Sequence, residues 1–188
     1  MLNALILVDI QKGFDDPKWG ARNNPGAEDR AGDLLQHWRA TGQRIVHVQH
    51  VSIEEGSPLA GAGTEFKDKV IPLDGEVVFQ KSVNSAFIGT GLQAHLENIG
   101  ATKLTICGLT TPHCVSTTAR MAANLGFEVD LVADACAAFA ANANTSFDDG
   151  RAFSTEDIHR AALAQLHGEF VTVRYTLELL GVVPVANS

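Results

Sequence analysis

Cys114, in the segment Gly108-Leu-Thr-Thr-Pro-His-Cys114, is the side chain of this sequence best suited to nucleophilic chemistry. A cysteine attacks as its thiolate, so its surroundings must take up the proton or favour the anion. Thr111 suits a helix N-cap and Pro112 the first helical position, which puts Cys114 near the third position, facing the positive end of a helix. Asp9 closes the apolar run Ala4-Leu-Ile-Leu-Val8. A carboxylate there can accept a thiol proton and return it to a leaving amine. Lys81, in Phe79-Gln-Lys81-Ser-Val-Asn84-Ser-Ala-Phe87, would add a positive charge that favours thiolate over thiol. Each residue also has a plainer use: Cys114 as a small apolar side chain under a sheet, Asp9 as a turn cap, Lys81 as a solvated charge. Cys107, inside an apolar run, reads as a core thiol.

What would bring these three together is a parallel sheet. Apolar or β-branched runs recur at Leu2 to Val8, Arg44 to His50, Val77 to Gln80, Leu104 to Cys107, Val129 to Val132 and Phe170 to Val173. Helical spacing lies between them at Ala27 to Ala40, Thr90 to Asn98, Pro112 to Leu125 and Glu156 to His167. Alternating strands and helices predict right-handed βαβ units, a three-layer α/β/α doubly wound protein with six parallel strands. Gly42, Gly100 and Gly126 are expected to close three helices, and Thr90-Gly-Leu-Gln93 has the form of a capping box. Ligands of such sheets sit beyond the carboxyl ends of the strands, which selects Asp9, Lys81 and the Gly108 to Cys114 turn. Two segments depart from the pattern. Val51 to Glu76 is expected to form a lid, and Ala140 to Ser154 a second excursion; specificity is expected from Val51 to Glu76, from Ala138 to Asp149 and from a neighbouring subunit.

Composition narrows the field. The 188 residues, 45% hydrophobic, suit a single domain over 1–188 with an ordinary core. Fourteen basic against 22 acidic residues give a net charge of −8, which argues against nucleic-acid binding and leaves a small-molecule substrate. Three cysteines suggest no disulfide framework, and the short apolar start suits neither a signal peptide nor a membrane span. A cytoplasmic protein without membrane partners is expected.

The order of motifs resembles the isochorismatase-like cysteine hydrolase superfamily, which includes nicotinamidases, N-carbamoylsarcosine amidases and isochorismatases. The likeness runs through Asp9-x-Gln11-x-x-Phe14, Lys81 with Asn84-Ser-Ala-Phe87 and Gly91-Leu92, Gly108-x-x-Thr111-x-x-Cys114-Val115 with Thr118-Ala-Arg120, and Asp134-Ala135. It implies a catalytic triad of Asp9, Lys81 and Cys114 and a strand order 3-2-1-4-5-6. It also implies a cis Leu109–Thr110 peptide, which turns the Thr110 and Cys114 backbone N–H groups toward one oxyanion. A homodimer or homotetramer is implied as well.

Some relatives hold a metal with an Asp-x-His element after the second strand. This chain reads His47-Val-Gln49-His50 there, and the next histidine is His95. Three residues apart on a strand, His47 and His50 face opposite sides, so they are expected to be structural, with no catalytic metal and no cofactor. Phe14, Trp19, Phe87 and His113 neighbour the motifs and are candidates for the substrate pocket. His159 and His167 carry no expected chemical role. Three functions stay open: a cysteine-dependent hydrolase of an amide or carbamoyl C–N bond, a vinyl-ether hydrolase of the isochorismatase type, and a non-catalytic ligand-binding module.

Overall fold

The computed structural model describes residues 2–182, and in it the six apolar runs are the strands of one sheet. These are β1 (Leu2–Val8), β2 (Arg44–His50), β3 (Val77–Lys81), β4 (Ala101–Leu109), β5 (Glu128–Ala137) and β6 (Thr172–Arg174). They stand in the order β3-β2-β1-β4-β5-β6, and every neighbouring pair is parallel. β1 and β4 are central, so both their faces are covered; Ala4–Val8 are at most 1% exposed. A strand covered twice needs apolar residues on consecutive positions, which is why the run is continuous rather than alternating.

The helices are α1 (Ala27–Ala40), α2 (Leu92–Asn98), α3 (Ser116–Asn124), α4 (Thr155–Leu166) and the short α5 (Thr176–Leu179). The connection from β1 to β2 runs one way along the sheet, and those from β3 to β4, β4 to β5 and β5 to β6 run the other. Right-handed crossovers therefore place α1 on one face and α2, α3 and α4 on the opposite one. α5 packs beside α1. No helix among the described residues is long and apolar enough to cross a membrane.

Gly42, Gly100 and Gly126 follow helices with φ of 65°, 70° and 93°. The capping box expected at Thr90 does not form. Gly91 is the N-cap, the Thr90 hydroxyl donates to the Ala86 carbonyl at 2.6 Å, and Gln93 reaches Glu97 instead. The lid segment is built from two short 3-10 turns, Gly61–Thr64 and Asp68–Val70. It is tied to the chain after β1 by bonds from Lys12 N–H to the Glu65 carbonyl and from Lys67 N–H to the Ile10 carbonyl.

Gly108 decides how closely β4 approaches β1. Its φ is 133°, and a Cβ on it would stand 2.0 Å from the Val8 carbonyl oxygen. Both the backbone conformation and the contact exclude a side chain. Gly108→Ala is therefore expected to cost about 3 kcal/mol or more of stability. Chemical denaturation measures it, and an unshifted unfolding midpoint would refute the close approach.

Candidate active site

The strand ends assemble the site. In the sheet register Val8 lies level with Val48 and Gly108, and His50 level with Lys81. Asp9 leaves β1 with φ 53°, a left-handed conformation that Asp tolerates better than most side chains. Its N–H still bonds to the Val48 carbonyl at 2.9 Å, holding the turn against β2. β3 runs one residue further than its apolar pattern predicts, through Lys81, which carries that side chain inward to 4% exposure.

Lys81 Nζ donates to Asp9 Oδ2 at 2.5 Å, and both side chains are fully buried. Asp9 Oδ1 has no hydrogen-bond partner among the described residues. A carboxylate oxygen of Asp9, a ring nitrogen of His50 and the Cys114 sulfur all lie within 4.8 Å of one another. The acid, the amine and the thiol selected from the sequence are thus one cluster.

Burial dominates the electrostatics. It raises the Asp9 pKa to about 6, against the opposing effect of Lys81. It also pushes the Cys114 thiol up to about 12, aided by the neighbouring Asp9 charge and opposed by Lys81. The expectation that Lys81 and a helix N-terminus would favour a thiolate is corrected here. Desolvation at this residue, 8% exposed, outweighs the ammonium, which already neutralises Asp9, so the resting group is a thiol. The turn carrying it differs too. Thr111–Val115 form a π-helical turn ahead of α3, with Thr110 as N-cap and no side-chain cap. The Thr111 hydroxyl instead bonds to His159 Nδ1 at 2.8 Å, which gives the buried His159 a structural task.

The Leu109–Thr110 peptide is cis. Thr110 is 2% exposed, and its N–H has no acceptor among the described residues.

A cavity of about 410 Å³ opens onto Cys114. Phe14, Trp19 and Leu59 form its apolar wall, His50, His113 and Thr110 its polar one, and Ser52, Ile53, Glu54 and Ser57 of the lid segment its rim. Phe14, Trp19 and Phe139 pack with ring centroids 4.9–6.0 Å apart, and Trp19 Nε1 donates to the Gly13 carbonyl. Phe87 does not belong to this pocket. The chain turns inward after Asn84, where the Ala86 N–H bonds to the Thr118 hydroxyl, and Phe87 stacks on Phe127 in the main core. Of the Ala138 to Asp149 segment expected to shape the pocket, Phe139 backs its aromatic wall, whereas Thr145, Phe147, Asp148 and Asp149 line a separate groove with α4.

Two residues of the site escaped the sequence reading. His50 is not merely structural: its Nδ1 lies 3.1 Å from Lys81 Nζ and its ring lines the cavity. Burial and then the Lys81 charge lower its pKa to about 4, so it is a neutral imidazole whose Nδ1 accepts from the ammonium. The signal was present, since His50 ends β2 as Lys81 ends β3, and the strand-end rule applies to both. His47 faces the other way, is fully buried, and bonds to Glu76 at 2.8 Å. Gln11 is the second. Its side chain accepts from the His50 N–H at 2.7 Å and donates to the His50 carbonyl at 2.9 Å, clamping the end of β2.

Asp9, His50 and Cys114 also have the residue types of a metal site. The Lys81 ammonium, bonded to both Asp9 and His50, already supplies a cation at that point, and a second one would be repelled.

A doubly wound parallel sheet with a buried acid, amine and thiol at its carboxyl edge defines a class of α/β proteins that hold small molecules at the strand ends. The Isochorismatase domain model matches residues 3–176. An uncharacterized isochorismatase family protein of Bacillus subtilis, YrdC, is 45% identical over 180 residues, covering 94% of each chain. A crystal structure of an isochorismatase family protein from Chromobacterium violaceum superposes with a TM-score of 0.90 at 41% identity, covering 96% of this chain and 93% of that one. Maleamate amidohydrolase of Pseudomonas putida is 30% identical over 153 residues, 69% of each chain. The chain belongs to the isochorismatase family, as a hydrolase of that family.

Proposed function

We propose that this protein hydrolyses an amide or carbamoyl C–N bond of a small molecule through a thioester on Cys114. The observation that carries the reading is the buried cluster in which the Asp9 carboxylate, with Oδ1 unpartnered, stands beside the Cys114 thiol and is held by Lys81. With the thiol neutral at rest, its proton passes to Asp9 as the sulfur attacks the carbonyl carbon. The Thr110 and Cys114 backbone N–H groups face the developing oxyanion, an arrangement that contributes about 3–4 kcal/mol per donor in acyl-transfer sites. Asp9 then protonates the departing nitrogen. Water, deprotonated by the same carboxylate, attacks the thioester and releases the acid and the thiol. Lys81 keeps Asp9 from rising further and holds it in place. The step is proposed without metal or cofactor. A likeness to an amidohydrolase supports the bond class, and the retained Cys114 disfavours the vinyl-ether alternative, which needs no nucleophile.

The test is turnover of a panel of small amides, carbamoyl compounds and isochorismate, with rapid quenching and mass analysis of Cys114. An acyl adduct on Cys114 with an amide is the expected result; turnover of isochorismate alone, with no adduct, would overturn the reading.

The pH profile has a sign. The competent state is the Asp9 carboxylate, whose pKa is raised to about 6, so kcat/KM is expected to fall about tenfold per unit below that pH and to be flat above it. The Cys114 thiol, pushed up to about 12, adds no rise in the neutral range. An increase in rate tracking thiolate formation near pH 8 would contradict proton transfer to Asp9.

A further inference from the structure

We propose that this site selects its substrate by charge, accepting uncharged or cationic small amides and rejecting carboxylate-bearing ones, with Glu54 at the cavity rim as the discriminating residue. The inference rests on the amide-hydrolase reading for the word amide; the charge selectivity itself rests on the lining of the cavity.

Among the described residues, the lining contains no cation free to meet a carboxylate. The Lys81 ammonium is fully buried and paired with Asp9, leaving that pair neutral. His50 and His113 stand at the wall, both held below the ordinary histidine pKa by burial, so neither is charged at neutral pH. Ser52, Ser57, Ser82, Asn84 and Thr110 are polar but neutral.

The cations of the surrounding turns are engaged elsewhere. Lys12 pairs with Glu65, Arg22 with Glu28, and Lys67 with Asp15 and Glu28. Lys18, which does not line the cavity, donates to the Gly56 carbonyl at 2.8 Å and keeps its charge, exposed to solvent, on the turn that carries Glu54. Against this, Glu54 brings an exposed carboxylate to the mouth, and Glu55 stands next to it on the same exposed turn. The apolar wall of Phe14, Trp19 and Leu59 offers a carboxylate no charge and no hydrogen bond. The whole chain, at −8, adds a field of the same sign. An anionic substrate would enter with its carboxylate unpaired and partly desolvated, the costly case for a polar group.

The experiment measures labelling of Cys114 by three methanethiosulfonates of matched size, one carrying an ammonium, one uncharged and one carrying a sulfonate. In each the sulfur of Cys114 displaces methanesulfinate and forms a mixed disulfide, and the Cys114 proton leaves to solvent. Cys107 and Cys136 are fully buried, and mass analysis assigns the site. Relative to a small free thiol at the same pH and low ionic strength, the ammonium reagent is expected to react about tenfold faster than the sulfonate, and the difference to shrink with salt. Glu54→Gln should reduce the ratio about threefold, and Glu54→Lys should bring it to unity or below. Equal or faster labelling by the sulfonate reagent in the parent protein overturns the inference, as does a ratio unmoved by both Glu54 variants.

A matched set of amides bearing ammonium, neutral or carboxylate groups separates this inference from the reading it rests on. If no amide turns over while the labelling order holds, the amide-hydrolase reading fails and the charge selectivity stands. If the carboxylate amide is the best substrate, the charge selectivity fails and the hydrolase reading stands.

Discussion

Replacing Cys114 by Ala is expected to lower kcat/KM by about 10⁴-fold or more on any amide the protein hydrolyses, while the protein stays folded. Without the sulfur the proposed thioester cannot form. Loss of a single sulfur atom at an 8% exposed position costs little packing, so the unfolding midpoint should move only slightly. Cys107→Ala supplies the opposite signature. That residue is fully buried in β4 and away from the cavity, so stability should drop by about 1–2 kcal/mol with turnover retained. Steady-state kinetics on both variants, read beside denaturation curves, distinguish chemistry from packing. Activity of Cys114→Ala within tenfold of the parent would end the acyl-enzyme scheme.

Asp9→Asn is expected to be nearly as damaging to catalysis and more damaging to the fold. An amide neither accepts the thiol proton nor returns it to the leaving nitrogen, which removes about 10³-fold or more from kcat/KM. It also leaves the Lys81 ammonium buried beside a neutral group and the His50 nitrogen. Breaking one side of a buried pair costs about 3–5 kcal/mol, because the remaining charge stays desolvated. Lys81→Met should destabilise for the mirror-image reason, stranding the Asp9 carboxylate. The double variant Asp9→Asn with Lys81→Met removes both charges and should recover much of the stability and none of the activity. Strict additivity of the two stability losses would mean that the pair is not coupled, contrary to its 2.5 Å contact.

Much of the scaffold was legible because it depends on near neighbours. α1 occupies Ala27–Ala40, the span its apolar spacing and Gly42 predict, and β1 and β2 have the bounds of their apolar runs. The same local logic failed where a side chain found a distant partner. Thr111 has the type of an N-cap, yet its hydroxyl goes to His159, 48 positions away, because α4 packs against that turn. Gln93 has the type of a capping-box partner, yet Glu97 one turn ahead offers a better contact.

By itself the sequence determined which residue types stand at the ends of which strands: a carboxylate after β1, an amine at the end of β3, a thiol after β4. It also determined the alternation that makes the sheet parallel, since apolar periodicity and turn glycines act over a few residues. Only the tertiary structure decided the rest. The parallel register that sets His50 level with Lys81 comes from the pairing of β2 with β3, segments distant in the chain. Phe87 was sent to the core rather than the cavity by an anchor on α3. The protonation states were decided the same way. The cost of burying a charge depends on everything packed around it, so Cys114 rests as a thiol and His50 as a neutral ring only once distant segments have closed over them.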